Sequence, residues 1–238
     1  MLMLGAPGDE DKPPPTLPGA QAAEPGAASA ATAPPAPRAA PPAAAAATAA
    51  TAVAAYLRRW GGVPGRRRPP VAGWRDAVLA VAASFCGVAA VSALHYELLA
   101  RSSPSHTMLI GSFGASAVLL YAAPAAALSQ PRCLLGGHVL SALVGVAVRV
   151  GAVEAGGAPE WLGCALAVPL AIGAMLATGT LHPPGGATAL IAVTGDAAVK
   201  RLGFLFALLP TAAGAALLLL VALALNNLRE GSRYPMYW

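Results

Sequence analysis

Leu202-Gly-Phe-Leu-Phe-Ala-Leu-Leu-Pro-Thr-Ala-Ala-Gly-Ala-Ala-Leu-Leu-Leu-Leu-Val-Ala-Leu-Ala-Leu-Asn-Asn-Leu228 runs for 27 residues without a charged side chain. About 20 apolar residues in a helix cross the roughly 30 Å hydrocarbon core of a bilayer. The stretch therefore reads as a membrane-spanning helix, interrupted by Pro210. Its apolar character is continuous, whereas a β-barrel strand alternates. Working outward, five more apolar segments precede it: residues 77–94, 107–129, 133–153, 161–181 and 183–195. Segment 133–153 holds a single charge, Arg149, near one end, where it is expected to snorkel to the interface. Segment 107–129 is Gly-rich at its start, and 183–195 is too short to span, which suggests a half-helix or a re-entrant piece. Trp74 and Trp161 stand at segment starts, where interfacial anchors belong.

Composition excludes the alternatives. The 238 residues are 57% hydrophobic and 11% charged, against about 25% charged in a soluble domain. Mean hydropathy is +0.63. Too few charges remain to cover a water-facing surface, so the expected fold is all-α, a polytopic transmembrane helical bundle. Residues 1–73 form an Ala/Pro-rich region expected to be disordered, and 74–238 the transmembrane domain. The first 60 residues read either as a transit peptide or as a linker. Only Ala43 to Ala55 is expected to be helical, and only transiently. Arg58, Arg59, Arg66, Arg67, Arg68 and Arg75 cluster just before the first apolar run, which places this flank on the stromal, matrix or cytosolic side. Contact with anionic lipid is expected there, and nucleic acid is not.

An internal repeat is suggested. Gly114-Ala-Ser-Ala-Val-Leu-Leu120 matches Gly186-Ala-Thr-Ala-Leu-Ile-Ala192 at an offset of 72 residues, and Arg132 and Gly145 match Arg201 and Gly214 at 69. Gly114 and Gly186 are then expected to begin two short helices related by a pseudo-twofold axis. Broken helices in repeated halves are transporter architecture, although short Gly/Ala matches also arise by composition.

Thr180-Leu-His-Pro-Pro-Gly-Gly-Ala-Thr188 is the most specific stretch. Pro183 and Pro184 suit a first helical turn, whose N–H groups lack partners. Gly185 and Gly186 leave backbone bare, and a helix N-terminus favours anions through its amides and dipole. Thr188 adds a hydroxyl and His182 a group that gains a proton near neutral pH. The same residues also suit a tight turn with a capping histidine at the lipid interface. His138 lies within an apolar segment, where a titratable side chain is a functional candidate.

Leu181-His-Pro-Pro-Gly-Gly-Ala-Thr-Ala-Leu190 resembles the signature of the HPP family of integral membrane proteins. Gly111-Ser-Phe-Gly-Ala-Ser-Ala-Val-Leu-Leu120, Gln130-Pro131 and Gly136-Gly137-His138 resemble further blocks of that family. Asn226-Asn227 and Arg233-Tyr-Pro-Met-Tyr-Trp238 resemble the terminal block of its plant and algal members. The resemblance covers residues 74–238 and implies four spanning helices, with the short segments re-entrant. For plant-type members it implies nitrite transport at the chloroplast envelope. Cys133 stands where the resemblance implies Asn.

The leading function is a transporter or channel for a small anion, nitrite by resemblance. The expected substrate-binding residues are His182, Pro183, Pro184, Gly185, Gly186, Thr188, Ser112, Gly114, Ser116 and His138. The alternative is a structural or assembly subunit of a membrane complex without transport activity. No enzyme activity, cofactor or metal is expected, since acid–base groups are scarce and the four histidines are dispersed. Cys86, Cys133 and Cys164 suggest no disulfide framework. Membrane lipids are expected partners, and a homo-oligomer is left open. The location expected is the chloroplast envelope, with another organelle or the plasma membrane as the alternative.

Overall fold

The computed structural model describes residues 42–61, 65, 70–99, 108–229 and 231–238. The expectations for residues 1–41 and for Arg66, Arg67 and Arg68 lie outside the described residues. The chain forms two units, Met1–Arg68 and Pro69–Trp238. In the first, helix α1 spans Pro42–Arg58. Ten of its 17 residues are alanine, the strongest helix former; it opens on a proline that suits the first turn and continues in a tighter turn over Arg59–Gly61. Tyr56 and Trp60 meet edge to face on it at 6.0 Å.

The second unit is a helical bundle. Helix α2 spans Trp74–Ala93 and widens into a π turn over Leu94–Leu99. Helix α3, Ser112–Ala117, continues likewise through Val118–Ala122. A single turn at Ala127–Ser129 leads to α4, Pro131–Val148, prolonged over Arg149–Ala155. Helix α5 spans Glu160–Thr178 and ends on Gly179, whose φ of +64° is the left-handed conformation glycine adopts freely. Helix α6 spans Pro183–Thr194. Helix α7, Ala197–Leu202, is capped by the Asp196 carboxylate, which accepts from Ala198 and Val199. A tight turn over Gly203–Ala207 and an irregular one over Leu208–Ala212 lead to α8, Ala213–Asn226.

Among the described residues, four stretches are long and apolar enough to cross a membrane: Trp74–Glu97, Pro131–Ala155, Glu160–Thr178 and Ala197–Asn226. Helices α3 and α6 are the shorter apolar pieces between them. The 202–228 run is not one continuous helix. Proline has no N–H and its ring pushes the preceding residue out of the helical region; Leu209, before Pro210, is extended at φ −128° and ψ 117°. The short helices begin at Ser112 and Pro183, so Gly114 and Gly186 lie inside their first turns.

Helix α4 is the hub. It packs against α5 and α6, which pack on each other, while α2 lies along α8. Helix α2 buries only the stripe Ala83, Gly87 and Val91 and exposes Val78, Val81 and Phe85, as a lipid-facing helix does. Lipid tails are as apolar as leucine, so association rests on close packing and small residues. Gly137, Ser141 and Gly145 recur every fourth residue along one face of α4. A methyl group on Gly145 would lie 2.5 Å from the Ala189 carbonyl oxygen, and one on Gly185 would lie 2.9 Å from that of Gly137. The backbones of α4 and α6 are thus in direct contact. Arg149 does not snorkel: it is buried and paired with Glu154 at 2.8 Å.

Candidate functional site

Five polar side chains from three helices meet in the apolar interior. Ser112 and Ser116 lie four residues apart on one face of α3. His138 comes from the second turn of α4, His182 from the position that caps α6, and Thr188 from inside α6. Each is at most 1% exposed. A buried polar group without a partner costs several kcal/mol in lipid-like surroundings, and these five satisfy one another.

Ser116 Oγ lies 2.7 Å from His138 Nε2 and 3.0 Å from His182 Nε2. His138 Nδ1 is 2.7 Å from Thr188 Oγ1, which is hydrogen-bonded at 2.9 Å to Ser112 Oγ. Thr188 Oγ1 also reaches the Pro184 carbonyl at 3.2 Å, and Ser116 Oγ that of Ser112 at 3.3 Å. His182 Nδ1 lies 2.8 Å from the Leu128 carbonyl oxygen. The two imidazoles stand 5.0 Å apart between centroids, and Phe113 closes the His138 face edge-on at 5.5 Å. The result is a continuous hydrogen-bonded chain, Ser112–Thr188–His138–Ser116–His182–Leu128, made of neutral donors and two titratable rings.

The structure brings Ser112, Ser116, His138, His182 and Thr188 together. It places the other expected residues differently. Pro183 is exposed and Pro184 buried; Gly114 is exposed and nothing approaches its α-carbon. The Gly185 amide donates to the His182 carbonyl at 2.8 Å, and its α-carbon is pressed against Ser141 and Gly137. That amide is therefore engaged rather than bare, tied into the first turn by the His182 carbonyl. Gly186 is half-buried and faces only Val168.

Two features of the site were not among the sequence candidates. Ser141, one turn beyond His138, donates to the Met175 sulfur at 3.6 Å beneath Gly185; a lone serine in an apolar helix was its only signal. The second is the C-terminal block. Tyr234 donates to the Ser129 carbonyl at 2.8 Å, and Gln130 Oε1 accepts from the Met236 amide at 2.8 Å. Asn227 bonds both the amide and the carbonyl of Tyr234, at 2.9 and 2.7 Å. Asn226 and Arg229 reach the carbonyls of Leu120 and Tyr121. This block thus clasps the turn that carries Leu128, whose carbonyl orients His182.

Comparison with known proteins agrees in extent with the second unit. The family model described as "HPP, transmembrane region" matches residues 69–235. A curated transmembrane protein of Dictyostelium discoideum is 41% identical over 186 residues, covering 78% of this chain and 64% of that protein. A second from the same organism is 40% identical over 183 residues, covering 77% and 57%. The chain thus spans about three-fifths of the length of these relatives. No solved structure matches.

Proposed function

The chain belongs to the HPP family of transmembrane proteins, and from that premise we propose that it carries a small inorganic anion, nitrite by resemblance, across a membrane. The apolar helical bundle fits a membrane transporter or channel. The observation that carries the anion reading is the buried cluster of Ser112, Ser116, Thr188, His138 and His182. Its three hydroxyls and two imidazoles, bonded to one another and to Leu128 in this structure, would turn their donors to an entering anion and replace part of its water. None carries a permanent charge. A fixed cation within a span costs roughly 2.5–3.5 kcal/mol and holds an anion against release, whereas conduction needs sites that let go.

The proposed location is the chloroplast envelope, with the arginine-rich flank before Trp74 on the stromal side and in contact with anionic lipid. The experiment is nitrite uptake into proteoliposomes containing the full chain alone, against protein-free liposomes. Uptake above the lipid background that falls in Ser116→Ala supports the reading. A correctly inserted protein that adds nothing to the background overturns it, and the polar cluster is then a packing device of an assembly subunit.

A further inference from the structure

A carbonyl oxygen only accepts, so His182 Nδ1 carries the proton shared with Leu128. With both histidines neutral and the short hydroxyl–imidazole bonds kept in preference to the longer contacts of Ser116 and Thr188 with backbone carbonyls, the rest of the chain follows. His182 Nε2 is an acceptor and takes the Ser116 hydroxyl proton. Ser116 has one proton, so His138 Nε2–H donates to Ser116 Oγ. His138 Nδ1 is then an acceptor and takes the Thr188 hydroxyl proton. The two histidines hold opposite tautomers.

One added proton keeps every bond of the chain with the charge on either imidazole, and hand-over along the chain carries it to His182, at the end farthest from Ser112. His182 carries protons on both nitrogens, and Nε2–H donates to Ser116 Oγ. Ser116 donates to His138 Nε2, His138 Nδ1–H donates to Thr188 Oγ1, and Thr188 donates to Ser112 Oγ. The two states interconvert by hand-over. A proton arriving at Thr188 Oγ1 sends the hydroxyl proton to His138 Nδ1. His138 releases its Nε2 proton to Ser116 Oγ, and Ser116 passes its own to His182 Nε2. One proton enters, one positive charge appears on His182, and the Thr188 hydroxyl turns from His138 Nδ1 to Ser112 Oγ.

We propose that this chain is a proton relay and that the protein moves a proton together with its anion. The second clause rests on the anion-transport reading. An unpaired charge buried in an apolar bundle is costly, and a cation and an anion arriving together offset each other's desolvation. No other titratable side chain described on the surrounding elements bonds to the relay. Arg132 donates to the Thr178 carbonyl, Cys133 faces that of Gly179, and Arg149 pairs with Glu154. Tyr121 donates to the Leu218 carbonyl and Tyr234 to that of Ser129. Arg229 reaches the Tyr121 carbonyl, and Lys200 pairs with Glu160.

The relay is tested by nitrogen-15 NMR of the histidines in the full chain in lipid bilayers. Opposite tautomers for His138 and His182 are expected at neutral pH. On acidification a single step makes His182 doubly protonated and moves the His138 proton from Nε2 to Nδ1. Matching tautomers, a doubly protonated His138 in place of His182, or two independent transitions overturn the relay whatever the flux. Coupling is tested in proteoliposomes enclosing a pH indicator, with protein-free liposomes as background. A nitrite gradient is expected to bring in one proton per nitrite, and Ser116→Ala to lower the coupled uptake about a hundredfold. Nitrite uptake without protons overturns the coupling and leaves the anion reading standing. No nitrite uptake overturns both, while the NMR result decides the relay alone.

Discussion

Gly137 of α4 backs directly onto His182: a methyl group on Gly137 would lie 2.5 Å from the His182 β-carbon. It would also lie 2.8 Å from the Thr180 carbonyl oxygen, and backbone does not yield as a side-chain tip does. Gly137→Ala is expected to cost about 1–3 kcal/mol through overpacking and to displace His182 from Ser116. Thermal unfolding in detergent measures the first effect and nitrite uptake the second. Gly114→Ala, at a position where nothing lies within 4 Å, is the matched control and keeps or raises the parent's melting temperature.

Gly185 and Gly186 are neighbours with opposite tolerance. A methyl group on Gly185 meets Ser141 Oγ at 2.6 Å, and one on Gly186 meets only Val168, at an ordinary 3.7 Å. Gly185→Ala is expected to lower the melting temperature, and Gly186→Ala to leave it unchanged or raise it, since alanine favours a helix by up to about 1 kcal/mol over glycine. Equal effects of the two would mean that α6 is rotated from the orientation described.

Thr188→Val keeps the shape and removes the hydroxyl that joins His138 to Ser112. The buried imidazole nitrogen is left without its donor, at about 1–3 kcal/mol, and nitrite uptake is expected to fall. Thr188→Ser restores the hydroxyl and is expected to recover most of both. A serine variant no better than a damaged valine variant would show that the methyl group is needed there as well as the hydroxyl, and an undamaged valine variant would show that the hydroxyl is not.

Burial holds the Tyr234 phenol above its ordinary range, so in the folded chain it stays protonated and keeps donating to Ser129. The sign follows from linkage: the unfolded chain loses this proton near pH 10 and the folded chain above it. Stability from this group is full below about pH 10 and declines as the pH rises further. Melting temperatures from pH 8 to 11 are expected to fall less steeply in Tyr234→Phe than in the parent. At neutral pH that variant is less stable, and its His182 nitrogen-15 signals shift, because the turn bearing Leu128 has lost a clasp.

The arginine-rich flank gives a topological prediction. A protease added to the stromal or cytosolic face of sealed vesicles is expected to remove the region before Trp74. Cleavage only from the opposite face would reverse the orientation proposed.

Much of this was legible one residue at a time. The apolar runs mark the helices because their length against a bilayer leaves few other readings. His138, His182, Thr188, Ser112 and Ser116 stand out as polar groups where polarity is costly. Their pairing was not legible, because Thr188 meets Ser112 across 76 residues and Ser116 meets His138 across 22, and no local pattern spans such gaps. Gly185 and Gly186 look alike as letters; only the position of α4 decides which is pressed upon. Nothing local marks Tyr234 as the partner of Ser129, since the two meet across 105 residues. The break at Leu209 follows from Pro210, but whether a proline bends a span or divides it depends on what surrounds it.

The glycine-lined contact between α4 and α6 has a mechanical consequence. Backbone lies close to backbone at Gly145 and Gly185, with only the short side chains of Ser141 and Ala192 beside them, and the His138–Thr188 bond ties the pair. Little between the two helices can change rotamer and absorb a displacement. They move as one body. Helix α3 is joined to that body at the site by hydroxyl–imidazole and hydroxyl–hydroxyl bonds, which exchange partners by small rotations. Any rocking of the bundle therefore has its slip plane along α3, through the cluster itself, so the proton order of the chain and the position of α3 are set together.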